Sequence, residues 1–74
     1  MWGIVPITLA ESNKSYRIVK LLTDDKEREF LSSYNIIVDS VVVKDKEDKD
    51  SVTILVKDTK VVIGKSLAMK ILVG

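Results

Sequence analysis

Short apolar runs, several of them alternating in and out, fill most of this chain, and only one stretch carries helical spacing. Tyr16 to Leu22 (YRIVKLL) is rich in β-branched and aromatic residues and predicts a strand. Thr23 to Tyr34 predicts the one helix. Thr23 or Asp24 can cap it, Glu27 follows Asp24 by three residues, and the early acids suit the positive end of the helix dipole. Phe30, Leu31 and Tyr34 are expected to form its core face. Asn35 tolerates the left-handed backbone that ends a helix, so it can stand where Gly usually does. Asp39-Ser40 interrupts the run Ile36 to Val43, which predicts a tight turn at 38–40 and a strand from 41 to about 45.

Beyond that turn the pattern is β again. The mixed run 45–50 predicts a hairpin tip, and Ser51 to Lys57 alternates with Val52, Ile54 and Val56 on one face. Asp58-Thr59 is the expected two-residue turn, followed by a strand over Lys60 to Ile63. Gly64 to Met69 predicts one helical turn, and Lys70 to Val73 a last strand. Residues 7–12 read as a short turn or edge segment, and 12–15 as a loop. About five short strands with one α-helix make the chain mainly β and point to a small antiparallel barrel whose closure would remove exposed edges.

Length and composition narrow this picture. Seventy-four residues predict one domain over 1–74. A chain of that size buries only about 60% of its unfolded surface, so its margin of stability is thin. Without Cys or His there is no disulfide and no Cys/His zinc site. The fold must rest on apolar packing, which 46% hydrophobic residues allow. No apolar run approaches the roughly 20 residues of a membrane span, so no membrane insertion is expected. The N-terminus has neither the basic nor the extended apolar region of an export signal, and a cytoplasmic location is expected. Twelve basic residues against eleven acidic ones give a net charge of +1, and Lys44 to Asp50 alternates in sign, which reads as a solvated turn.

Candidate chemistry is sparse. Val61-Val62-Ile63-Gly64-Lys65-Ser66 has the second half of a phosphate-binding loop, but such a loop needs a further Gly five residues before Gly64, where Thr59 stands. Gly64 is expected instead to permit a bend that a side chain would obstruct. Asp45, Glu47, Asp48 and Asp50 suggest a calcium loop, yet lysines intervene, no Gly turns the loop, and Thr59 occupies the twelfth position from Asp48. A chain without His or Cys can build neither a Ser-His-Asp arrangement nor a Cys nucleophile, so no enzyme and no cofactor are expected. Oxygen-only ligands make selective ferrous binding an unfavoured alternative. Trp2, Tyr16 and Tyr34 could stack on a nucleic acid, but basic and acidic residues are nearly equal in number, so no nucleic-acid partner is expected.

The order of elements resembles the FeoA family, the small companions of the bacterial ferrous-iron transporter FeoB. The resemblance is carried by Thr8-Leu9-Ala10-Glu11, Tyr16-Arg17-Ile18-Val19-Lys20-Leu21, Leu31 leading to Asn35-Ile36, Val41-Val42-Val43, and the closing Val61 to Val73. The family usually has Gly where Asn35 stands and Pro-Gly where Val38-Asp39 stands; Asn and Asp are the non-Gly residues that best tolerate left-handed backbone. The resemblance implies an SH3-like barrel over about 7–73. It also implies a non-enzymatic accessory or regulatory role in ferrous-iron uptake, exerted on the transporter's cytosolic GTPase part. A small-barrel adaptor with another protein or nucleic-acid partner is the alternative. Lys26 and Arg28 on the helix and the N-terminal Trp2 are the candidate partner-binding residues; as plain solubility charges and an apolar end they need no partner. Oligomeric state is left open.

Overall fold

Left-handed corners divide the chain where the side chains allow them. Asn13, Asn35, Asp39 and Lys57 all have positive φ, between 56° and 77°. Three of the four are the Asn and Asp types that tolerate it. The computed structural model describes residues 3–74. Between these corners run β1 (Val5–Pro6), a 3-10 turn (Ile7–Leu9), β2 (Lys14–Leu21), α1 (Asp25–Ser32) and β3 (Val41–Glu47). They are followed by β4 (Ser51–Val56), β5 (Thr59–Gly64), α2 (Lys65–Ala68) and β6 (Ile71–Val73).

The fold is mainly β and SH3-like: six antiparallel strands in the order β1-β6-β2-β3-β4-β5, with two short helices. One strand more than expected is present because Val5–Pro6 adds a two-residue ladder to β6. The hydrogen-bonded ladder is not closed, so β1 and β5 remain as edges, against the expectation of a barrel without any. α2 packs on β4, β5 and the 3-10 turn beside that opening. The core is aliphatic, and Ile7, Ile18, Leu31, Ile36, Ile54 and Ile71 are all fully buried.

Four local readings change. The second helix, α2, is the single turn expected after Gly64, but Gly64 is not a forced glycine. Its backbone is extended (φ −60°, ψ 147°), and an added Cβ would meet nothing within 4 Å. The hairpin turn is Lys57-Asp58, one residue earlier than expected, because Val56 pairs with Thr59. α1 is capped as expected: the Glu27 amide donates to Asp24 Oδ1 (2.8 Å) and the Asp24 amide to Glu27 Oε1 (3.1 Å). Its core contact, however, is Leu31 alone. Phe30 lies about 100° round the helix from Leu31, Tyr34 follows the helix end, and the two rings meet edge to face on the outside with centroids 5.4 Å apart.

Lys44 is the fourth correction. Placed by composition in a solvated turn, it is 2% exposed. It follows Val42 by two residues in β3, so it shares the inward face. The register then shifts between Lys44 and Lys46, and Lys46 falls on the outer face opposite Thr53.

Candidate functional site

Of the partner-binding candidates, Lys26 and Arg28 are both exposed on α1. Two residues of helix set them about 160° apart, on opposite flanks, so they do not form one cluster. Neither enters an ion pair among the described residues. Trp2 lies outside the described residues. Between them Glu27 turns inward, where Lys70 Nζ donates to both its oxygens (2.9 and 3.1 Å). That bond, helped by the Asp24 amide, lowers the Glu27 pKa, and it raises that of Lys70. The bridge ties α1 to the chain just before β6, so α1's middle is held down while its flanks stay free.

The flank missed by the sequence reading is apolar. Lys26 and Phe30, four residues apart, lie on one side of α1, and Tyr34, past the helix end, joins that side through its ring contact with Phe30. Phe30, Tyr34 and, in the following loop, Ile37 and Val38 are all exposed. Their hydrophobicity argued for the core. The signal against it is that Leu31, followed by Ile36, already supplies the inward contacts of so short a helix.

A second concave region lies among β1, the 3-10 turn, β2 and β6. It encloses about 450 Å³ and has apolar walls from Val5, Leu9, Ala10, Tyr16 and Val73. Lys14 and Glu11 pair at 2.6 Å on its rim, which lowers the Glu11 pKa and raises that of Lys14. The Glu11 amide donates to the Tyr16 hydroxyl (2.9 Å), which donates back to the Glu11 carbonyl (3.2 Å). This groove can receive an apolar side chain. It presents no nucleophile beside a base, and its one charged pair neutralises itself.

The buried Lys44 organises the neighbouring end of the molecule. Its Nζ donates to the Thr8 carbonyl (3.1 Å), the Ala10 carbonyl (2.8 Å) and Glu47 Oε1 (2.7 Å), which uses all three ammonium protons. Glu47 Oε2 takes Lys65 Nζ at 2.8 Å. Hydrogen bonds from Lys44 and then Lys65 pull the Glu47 pKa from its ordinary 4.5 to about 2. Lys65 is thereby committed to a carboxylate, and Gly64-Lys65-Ser66 opens a helix of only four residues. Two of the four acids that suggested a calcium loop, Glu47 and Asp45, instead pair with Lys44, Lys65 and Lys60. No group of three or more Asp or Glu is arranged for a metal among the described residues. Nor is any helix among them long and apolar enough to cross a membrane.

A family model of the FeoA domain matches residues 5–74. Among solved structures, the chain is similar to the crystal structure of an iron uptake regulatory protein (FeoA). The two share 22% identity, with 99% of this chain and 97% of that one covered and a TM-score of 0.86. It is also similar to the NMR structure of a FeoA-like protein from Clostridium acetobutylicum, at 16% identity, covering 100% and 88%, with a TM-score of 0.81. A third similarity is to the metal-dependent transcriptional regulator MtsR, at 17% identity and a TM-score of 0.78, where 93% of this chain covers 34% of that one. Comparison with curated proteins gives no match.

Proposed function

Because this chain belongs to the FeoA family, we propose that it is a non-enzymatic accessory protein of bacterial ferrous-iron uptake, acting in the cytoplasm on the cytosolic part of a FeoB-type transporter. The match of the FeoA domain across residues 5–74 is the observation that carries this reading. The architecture supports an interaction role. Its buried charge is spent on internal bonds, while apolar side chains such as Phe30, Tyr34, Ile37 and Val38 are left on the surface. Lys26, on the Phe30 flank of α1, and Arg28, on the opposite flank, are trial contact positions, as is Trp2. Titration calorimetry of the full chain with the transporter's purified cytosolic domain tests the reading, together with iron uptake in a strain lacking the chain. Binding and a loss of uptake are expected; no binding together with unchanged uptake would end this proposal.

A further inference from the structure

The two edges of the sheet are built differently. β1 is two residues long and contains Pro6, which has no amide proton to offer, so that edge is blunted. β5 is six residues long, has no proline, and pairs with β4 in an unbroken register from Ser51↔Gly64 to Val56↔Thr59. With only Lys57-Asp58 between the strands, Val56 and Thr59 form the hydrogen-bonded pair that closes the hairpin. Alternation then directs the backbone groups of Thr59, Val61 and Ile63 to β4, and those of Lys60, Val62 and Gly64 away from it. The Lys65 amide confirms the phase, since it continues the odd-numbered series by donating to the Asp50 carbonyl at 2.9 Å. Among the described residues the backbone groups of Lys60 and Val62 enter no other backbone bond.

Lysine often guards such an edge. Here Lys60 is drawn across the sheet to Asp45 of β3, at 3.4 Å, and Val62 beside it is 64% exposed. A head-to-tail partner would need a second open edge, and β1 does not supply one. A two-fold arrangement needs only β5.

We propose that β5 is a self-association edge, pairing antiparallel with β5 of a second copy of this chain about a two-fold axis at Val62. In that register Val62 faces Val62, and Lys60 lies opposite Gly64, so apolar meets apolar and no like charges are opposed. A two-fold axis at Lys60 would oppose the two lysines directly, and one at Val61 would set Lys60 against Val62. The chosen register pairs the outward groups of Val62, the Lys60 carbonyl and the Gly64 amide, about four backbone hydrogen bonds, because the Gly64 carbonyl is taken by the first turn of α2. So short a ladder makes a weak dimer, and the inference does not depend on the transport role.

Amide hydrogen exchange by NMR, with sedimentation velocity, tests it on the full chain from about 10 µM to about 1 mM. The Val62 and Gly64 amides are expected to slow by about tenfold or more across that range, while Val61 and Ile63, already bonded to β4, change little. Val62→Pro removes an outward amide that the β4 ladder does not use, and Val62→Lys places like charges on the axis; both are expected to stay monomeric. Concentration-independent exchange at Val62 and Gly64 would overturn the proposal, as would a dimer that survives either substitution. Protection that appears only when the transporter's cytosolic domain is added would also overturn it, by assigning the edge to another protein.

Discussion

Lys44→Met removes the ammonium and keeps most of the stem, so it isolates the three bonds made by Nζ. Hydrogen bonds to a charged group contribute about 1.5–3 kcal/mol each, but the three are not equal losses. Glu47 keeps Lys65 and part of its solvent contact. The Thr8 and Ala10 carbonyls lose a donor beneath the 3-10 turn. Relief of the ammonium's desolvation offsets part of that loss, because a buried charge is costly even when satisfied. The net loss expected is about 3 kcal/mol, a large share of the roughly 5–10 kcal/mol available to a chain of this size. At about 4–8 °C per kcal/mol, Tm falls by about 12–24 °C. Urea unfolding followed by far-UV circular dichroism measures the loss as a shift in midpoint at constant slope. Lys46→Met, two residues away on the outer face, is the control and is expected to stay within about 0.5 kcal/mol of the parent. Equal effects from the two substitutions would refute the reasoning, because Lys44 would then be one more surface charge. Amide exchange at Asn13, which donates to the Lys44 carbonyl at 2.6 Å, reports whether the loosening begins at the 3-10 segment.

Four further outcomes follow from the same geometry. Glu47, held from 4.5 down to about 2, contributes fully above pH 4.5 and loses that contribution as pH falls toward 2. Glu47→Gln is therefore expected to destabilise at pH 7 and to converge on the parent across that acid window, read by thermal melts at stepped pH. Asp24→Ala removes the side-chain half of the capping box, leaving the residue-24 amide to donate to Glu27, and is expected to cost about 1 kcal/mol in chemical denaturation. Lys57→Gly relieves a left-handed residue at the first position of the β4–β5 turn and is expected to stabilise by about 0.5–1 kcal/mol, read as a higher Tm. Gly64→Ala is expected to stay within about 0.5 kcal/mol of the parent, since its Cβ enters open space and the gain in unfolded-state stiffness offsets a weaker helix start.

The corners at Asn35 and Asp39 were legible because each is a local decision. Asn35 and Asp39 carry side chains that tolerate positive φ, and a chain read residue by residue exposes them. Asp24 and Glu27 are legible for the same reason, since a capping box is complete within four residues. Phe30 and Tyr34 were not, because hydrophobicity alone does not say which side of an eight-residue helix has room, and Leu31 fills the room there is. Lys57 hides the true turn by occupying a position where Gly is usual. The open edge of β5 is a property of strand order, which no short window of sequence contains.

Lys44 shows where the two kinds of reading collide. Composition places it in the charged run that ends at Asp50, while the period-two phase set by the buried Val42 places it inside. Phase is the stronger constraint, because a strand cannot turn one side chain outward without a bulge, and the bulge comes only after Lys44. Gly-Lys-Ser draws attention as a fragment of a phosphate loop, yet Glu47 has already taken the lysine. The charges around Lys44 thus bind one another, while apolar side chains beside α1 and unpaired backbone on β5 stay on the surface. Association through those two features would rest on shape and strand pairing and is expected to respond weakly to salt.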